Sequence, residues 1–204
     1  MLKDKKLEEF LDELASDSPT PGGGSVSALL GALASALTSM VSRLTEGKKG
    51  YESVTEDIRK VLEESEKIRK RTIALIDEDT EVFKAVMAAY KTPKENPDRE
   101  KMIQDALKKA TEVPLKVMNE CFRVLELSRT IAENGNVNSV SDAGIAALVA
   151  HAGVQGALLN VMINLKSVKD DEFKKKCFVE ADVIVIKSGE LVKSVLRVVN
   201  EKIL

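Results

Sequence analysis

Ser18-Pro19-Thr20-Pro21-Gly22-Gly23-Gly24-Ser25 opens a run, ending at Ser42, whose reading decides the fold. No Asp, Glu, Lys or Arg occurs between Asp17 and Arg43. Val26, Leu29, Leu30, Leu33, Leu37, Met40 and Val41 recur at helical spacing. Small residues fill the rest, with Gly24, Ala28, Ala32 and Ala36 in one row and Ser27, Gly31, Ser35 and Ser39 in another. Residues three and four apart share a helix face, so this is a helix that is apolar or small all round. Such a helix is expected inside a bundle, with neighbours on several sides. Its entry also differs from an ordinary turn. Two prolines fix the approach, and Ser18 and Thr20 are placed to cap. Three successive glycines free backbone N–H groups at a helix start, where partial positive charge favours an anion. Thr20, Gly22, Gly23, Gly24 and Ser25 are therefore candidate ligand contacts.

Outward from that run the chain reads as helix throughout. Leu7, Phe10, Leu11 and Leu14 mark a short first helix, and Glu46-Gly47-Lys48-Lys49-Gly50 ends the uncharged one. From Tyr51, positions Val54, Ile58, Val61, Ser65, Ile68, Thr72, Leu75, Asp79, Val82 and Val86 follow helical spacing opposite a face dense in Glu, Lys and Arg. That predicts an amphipathic helix of about forty residues, with room for one break. Lys91 to Asp98, carrying Pro93 and Pro97, is a loop, and a further helix runs from Asp98 toward Glu133 with a kink expected at Pro114. Asn134-Gly135-Asn136-Val137-Asn138 turns the chain, and Ser139 to Asp142 caps a second uncharged helix, Ala143 to Leu165. A last amphipathic helix spans Asp170 to Leu204. No stretch alternates with period two. The expected fold is all-α: a single-domain helical bundle over residues 1–204, with two buried uncharged helices and long amphipathic ones.

Composition narrows the function. The 204 residues carry 31 Lys plus Arg against 33 Asp plus Glu, and aromatics make up 3%, which argues against nucleic acid and against an anionic membrane surface. Cys121 and Cys177 lie far apart in apolar helical patterns and there is one histidine, so neither a disulfide framework nor a zinc site is expected. The uncharged runs are long enough to span a bilayer, but their Gly, Ser, Asn and Gln content predicts buried helices of a soluble, cytoplasmic protein.

Polar residues on apolar faces are the next signal, because burial without a partner is costly. Asp79 falls in the arc of Leu75, Ile76, Val82, Phe83, Val86 and Tyr90, whereas Asp77 points the other way. A core-facing carboxylate has a strained protonation equilibrium, and such groups cluster at functional sites. On the second uncharged helix, Asp142, Ala146, Val149, Gly153, Gly156, Asn160 and Asn164 share one face. A carboxylate at one end, amides at the other and small residues between predict a groove. His151 and Gln155 lie opposite and read as packing residues. Lys48 and Lys49 read as a solvated helix end that also suits an acidic ligand.

These residues carry a resemblance. Thr20-Pro21-Gly22-Gly23-Gly24-Ser25-Val26, Gly31-Ala32-Leu33, Met40-Val41, Leu44-Thr45 and Gly47-Lys48-Lys49-Gly50-Tyr51 come first. Asp77-Glu78-Asp79 before Phe83 and Ala110-Thr111 before Val113-Pro114-Leu115 follow. Gly135-Asn136 with Asn138, Ser141 and Asp142, then Asn160-Val161 and Ile163-Asn164-Leu165, complete the set. In this order they resemble the cyclodeaminase family, which comprises the cyclodeaminase half of formiminotransferase-cyclodeaminase and related stand-alone folate cyclohydrolases. The resemblance implies an all-helical domain that forms homodimers and works in one-carbon metabolism, on the branch that degrades histidine. It converts 5-formiminotetrahydrofolate to 5,10-methenyltetrahydrofolate with release of ammonia. The tetrahydrofolate derivative is the substrate, no metal takes part, and a separate formiminotransferase is the expected supplier.

On that implication Asp79 carries the proton and Asp142 is the reserve catalytic carboxylate. Thr20, Gly22, Gly23, Gly24, Ser25 and Lys48 hold the glutamate tail or the polar edge of the pterin, while Asn138, Asn160 and Asn164 supply amide hydrogen bonds. Two other readings remain open: a methenyltetrahydrofolate cyclohydrolase using the same pocket, and a non-catalytic helical scaffold that dimerises through its small-residue helices.

Overall fold

Gly22, in an extended conformation, ends the approach, and the uncharged run winds from the next residue as a helix over Gly23–Thr45. In the computed structural model, which describes residues 1–204, it is the second of six α-helices, accompanied by three short 3₁₀ turns and no strand. The six are α1 (Leu7–Leu14), α2 (Gly23–Thr45), α3 (Thr55–Lys91), α4 (Arg99–Asn134), α5 (Val140–Leu165) and α6 (Asp171–Ile203). The break allowed for in α3 is absent. Its end precedes Pro93, and the Arg99 guanidinium donates to the exposed carbonyls of Tyr90 and Thr92 at 3.1 and 2.9 Å. Asp170 caps α6 by accepting from the Phe173 N–H at 3.0 Å.

α3, α2, α5 and α6 lie side by side in that order, and α4 packs behind them against all four. α2 and α5 are antiparallel: Gly23 sits beside Asn160, and the Asn136 N–H, just before α5, donates to Thr45 Oγ1 at 2.8 Å. Small residues bring these helices close. A methyl on Gly31 would lie 2.9 Å from both Cys121 Sγ and Thr72, and one on Gly153 would lie 2.6 Å from Cys121 Sγ. Most buried hydroxyls of α2 are satisfied by the carbonyl one turn back, as in Ser27 to Gly23, Ser35 to Gly31 and Ser42 to Thr38. Ser39 pairs instead with Ser65 on α3 at 2.8 Å. Burial pushes the Cys121 thiol up to about 12, which leaves it a packing residue.

The expectation of helices buried all round is corrected. The small residues of α2 face the core, while Val26, Leu30, Leu33, Leu37, Met40 and Leu44 form a stripe on the outer side. α5 does the same with Ile145, Leu148, Ala152, Gln155, Leu159 and Met162. Leu33 and Leu44 are each 49% exposed and Leu159 is 67% exposed. Close approach to three neighbours requires slender side chains on the inner arc, so the bulk is left outside. Both helices are long and apolar enough to cross a membrane by length and composition, a test that buried core helices also pass; here they are the inner pair of the layer.

Candidate active site

At the N-terminal end of α2, the triglycine approach, α3, α4 and α5 enclose a cleft of about 340 Å³. Thr20, Gly22, Gly23, Gly24, Asp79, Asn160 and Asn164 all line it. Val82, Phe83 and Val86 of α3 with Leu107 of α4 supply an apolar wall. Asp79 is the only titratable side chain on the lining. Burial raises its pKa, and the Ser25 hydroxyl and backbone N–H oppose that rise. Ser25 Oγ donates to Asp79 Oδ2 at 2.8 Å.

The capping expectation is corrected. Ser18 and Thr20 do not cap α2: Gly22 is the cap residue, no side chain bonds there, and the Ser18 hydroxyl donates instead to Thr20 O at 2.6 Å. A carboxyl group of the protein itself, Asp79 from α3, lies against this helix start. Only one of the three glycines is imposed by that approach. A Cβ on Gly24 would lie 2.6 Å from Asp79 Cγ, whereas one on Gly23 would make an ordinary contact with Asn160 Nδ2 at 3.4 Å. Ser25 is fully buried behind the carboxylate and does not line the cleft.

The two amides are fixed with a defined polarity. Asn160 Nδ2 donates to Gly156 O at 2.9 Å and Asn164 Nδ2 to Ala110 O at 2.7 Å. A carbonyl only accepts, so each amide turns its NH2 toward the backbone, leaving Oδ1 as its acceptor. Ala110 O is available because Pro114, four residues on, has no N–H to offer it. Pro114 was legible as a helix irregularity; its service to Asn164 was not, since nothing in the sequence pairs position 110 with position 164.

Three other candidates lie elsewhere. Lys48, Asn138 and Asp142 sit at the far end of α2 and the near end of α5, about 35 Å from the cleft along a helix of 23 residues. There Lys48 Nζ donates to Asn136 Oδ1 at 2.7 Å and lies 5.9 Å from the centre of the Tyr51 ring. The groove expected between Asp142 and Asn164 is closed for most of its length, because Gly153 and Gly156 pack against Ser27 of α2; only the Asn160–Asn164 end opens. Asp77, which points away from the core, is nonetheless 9% exposed: the N-terminal turn covers it, with Leu2 N–H donating to Oδ1 at 2.7 Å. His151 bonds Ser188 between α5 and α6, away from the cleft.

A family model described as formiminotransferase-cyclodeaminase matches residues 6–183, a span that contains every residue of the cleft. The chain belongs to the formiminotransferase-cyclodeaminase family. Its relatives carry two names. A methenyltetrahydrofolate cyclohydrolase of Methylorubrum extorquens is 44% identical over 208 residues, covering 100% of both chains. The formimidoyltransferase-cyclodeaminase of Rattus norvegicus is 35% identical over 179 residues, covering 86% of this chain and 33% of that protein. The chain thus spans about a third of the animal relatives it matches. A crystal structure of formiminotetrahydrofolate cyclodeaminase from Thermotoga maritima superposes with a TM-score of 0.86 at 34% identity, covering 99% of this chain and 97% of that one. This is an enzyme of the folate one-carbon family.

Proposed function

We propose that the cleft cyclises 5-formiminotetrahydrofolate to 5,10-methenyltetrahydrofolate with release of ammonia, and that Asp79 is the proton shuttle. The observation that carries this is a lone carboxylate, raised in pKa by burial, on an apolar-walled cleft with two fixed amide acceptors. The bridge nitrogen N10 attacks the carbon of the formimino group in its protonated, amidinium form and gives a tetrahedral centre that carries an NH2 group. Ionised Asp79 takes the proton from N10 and delivers it to the departing nitrogen, which leaves as ammonia. Restored to its charge, the carboxylate then faces the delocalised methenyl cation in a low-dielectric site. Oδ1 of Asn160 and of Asn164 suit the N–H donors of the pterin edge.

A second reading is hydrolysis of 5,10-methenyltetrahydrofolate, in which Asp79 takes the proton from an attacking water. The 44% identity over full length to a protein of that name favours it. The experiment is to supply each folate separately, following the methenyl absorbance and ammonia together. Band and ammonia rising in step support the cyclodeaminase, and accelerated loss of the band supports the cyclohydrolase. Silence in both contradicts an activity at this cleft.

The working unit in this proposal is a homodimer. Two antiparallel helices with outward stripes at alternate steps of three and four form an uncharged, largely apolar face, the kind of surface that two copies cover by pairing about a two-fold axis. With the two-fold perpendicular to the helices, such pairing carries the Lys48–Asp142 end of one copy toward the cleft end of the other.

A further inference from the structure

Ser25 has one hydroxyl proton and two acceptors. Its Oγ lies 2.8 Å from Asp79 Oδ2 and 3.3 Å from Ile76 O, in a fully buried position. Ser25 stands in the first turn of α2, where no helical carbonyl lies one turn back, and it reaches across to α3 for both partners. An irregularity on α3 frees one of them. The Thr80 hydroxyl would ordinarily bond Ile76 O, one turn before it, but is buried with no partner. Ile76 O is left to the serine.

A hydroxyl donates once and also accepts. With Asp79 ionised, Ser25 donates to Oδ2. With a proton on Oδ2, the carboxyl O–H donates to Ser25 Oγ and the serine proton turns onto Ile76 O. We propose that Ser25 is a positioning residue whose proton switches between Asp79 and Ile76 O, so that Asp79 stays hydrogen-bonded in both of its protonation states. This rests on the reading of Asp79 as a shuttle, which must pass through both states in each turnover. The proton count closes: one proton enters the carboxyl from the substrate, one leaves it to the departing group, and the serine keeps its own.

No other charge competes for control of Asp79. α2 has no charged residue before Arg43, and α4 and α5 present Leu107, Ala110, Asn160, Ile163 and Asn164 to the cleft. On α3 itself, Glu78 is engaged by Arg71 and Lys116, and Asp77 by Leu2 N–H and Lys3.

The test is an infrared titration of the ligand-free protein, reading the protonated carboxyl band that disappears in Asp79→Asn. Ser25→Ala removes both the donor to the charged form and the acceptor of the neutral one, and the bond to the charge is the stronger of the two. The band should then persist to higher pH, with the ionised fraction on the acid side lowered about tenfold. The acid limb of kcat should move the same way with KM unchanged, and Ser25→Thr should restore both. An unaltered titration in Ser25→Ala, or a raised KM with an unaltered pH profile, overturns the proposal. If Ser25→Ala does not fold, Ser25→Cys, a weaker donor of similar size, must show an intermediate shift, and no shift overturns the proposal equally. Because the titration needs no folate, a shifted band without turnover counts against the reaction and leaves the switch standing.

Discussion

Asn164 takes up the carbonyl that Pro114 cannot bond: its Nδ2 donates to Ala110 O at 2.7 Å, linking α5 to the irregular turn of α4 beneath the cleft. A proline inside a helix costs stability through its missing N–H. Pro114→Ala should restore the ladder bond to Ala110 O and compete with Asn164. The expected outcome is a higher Tm together with a folate KM raised about threefold to tenfold, as one anchored acceptor is loosened. Steady-state kinetics beside a melting curve check it; an unchanged KM would separate Pro114 from the site.

Asp79→Asn should lower kcat by about a hundredfold to ten-thousandfold, the range for a lost proton-transfer group. It should also stabilise the protein. Burial raises the folded pKa of Asp79 above its unfolded value, so its favourable contribution is complete below the unfolded pKa and is lost as pH rises through the folded one. Above that window the wild type holds a partly desolvated charge that asparagine lacks. Melting curves should show the variant ahead near pH 8, with the difference vanishing as pH falls toward the unfolded pKa.

The glycines should separate by position. Gly24→Ala places a methyl against the Asp79 carboxylate and should cost about a hundredfold in kcat by displacing it. Gly23→Ala meets only an ordinary contact at Asn160 and should stay within about threefold of wild type. Equal effects from the two variants would contradict the close approach of Asp79 to α2.

The bare stripes on α2 and α5 predict a dimer in solution. Leu33→Glu with Leu148→Glu puts charge into the centre of that face, and light scattering should then report a monomer where the wild type is dimeric. Activity should fall at least about tenfold if the Lys48–Asp142 end of the second copy completes the cleft. A fully active monomer would leave those residues without a catalytic role.

Much of this was written in the sequence. Periodicity placed the helices, and three separate signals, the glycine loop, Asp79 on an apolar arc and the amides Asn160 and Asn164, named residues that the structure brings to one cleft. Beyond the link from Pro114 to Asn164, three features were not legible. The inversion of α2, small side inward and bulk outward, depends on how closely α4 and α5 approach, which a moment along one helix does not encode. The separation of Lys48, Asn138 and Asp142 from the cleft follows from the antiparallel course of α2 and α5. The carboxyl group against the α2 N-terminus was not legible, because it comes from fifty-four residues beyond Ser25.

The most direct measurement is single-turnover absorbance of the methenyl band, with ammonia in parallel, for wild type and Asp79→Asn on 5-formiminotetrahydrofolate. The account predicts band and ammonia appearing together in the wild type and a step slowed at least about a hundredfold in Asp79→Asn, with folate still bound. Wild-type rates in a folded Asp79→Asn would contradict it.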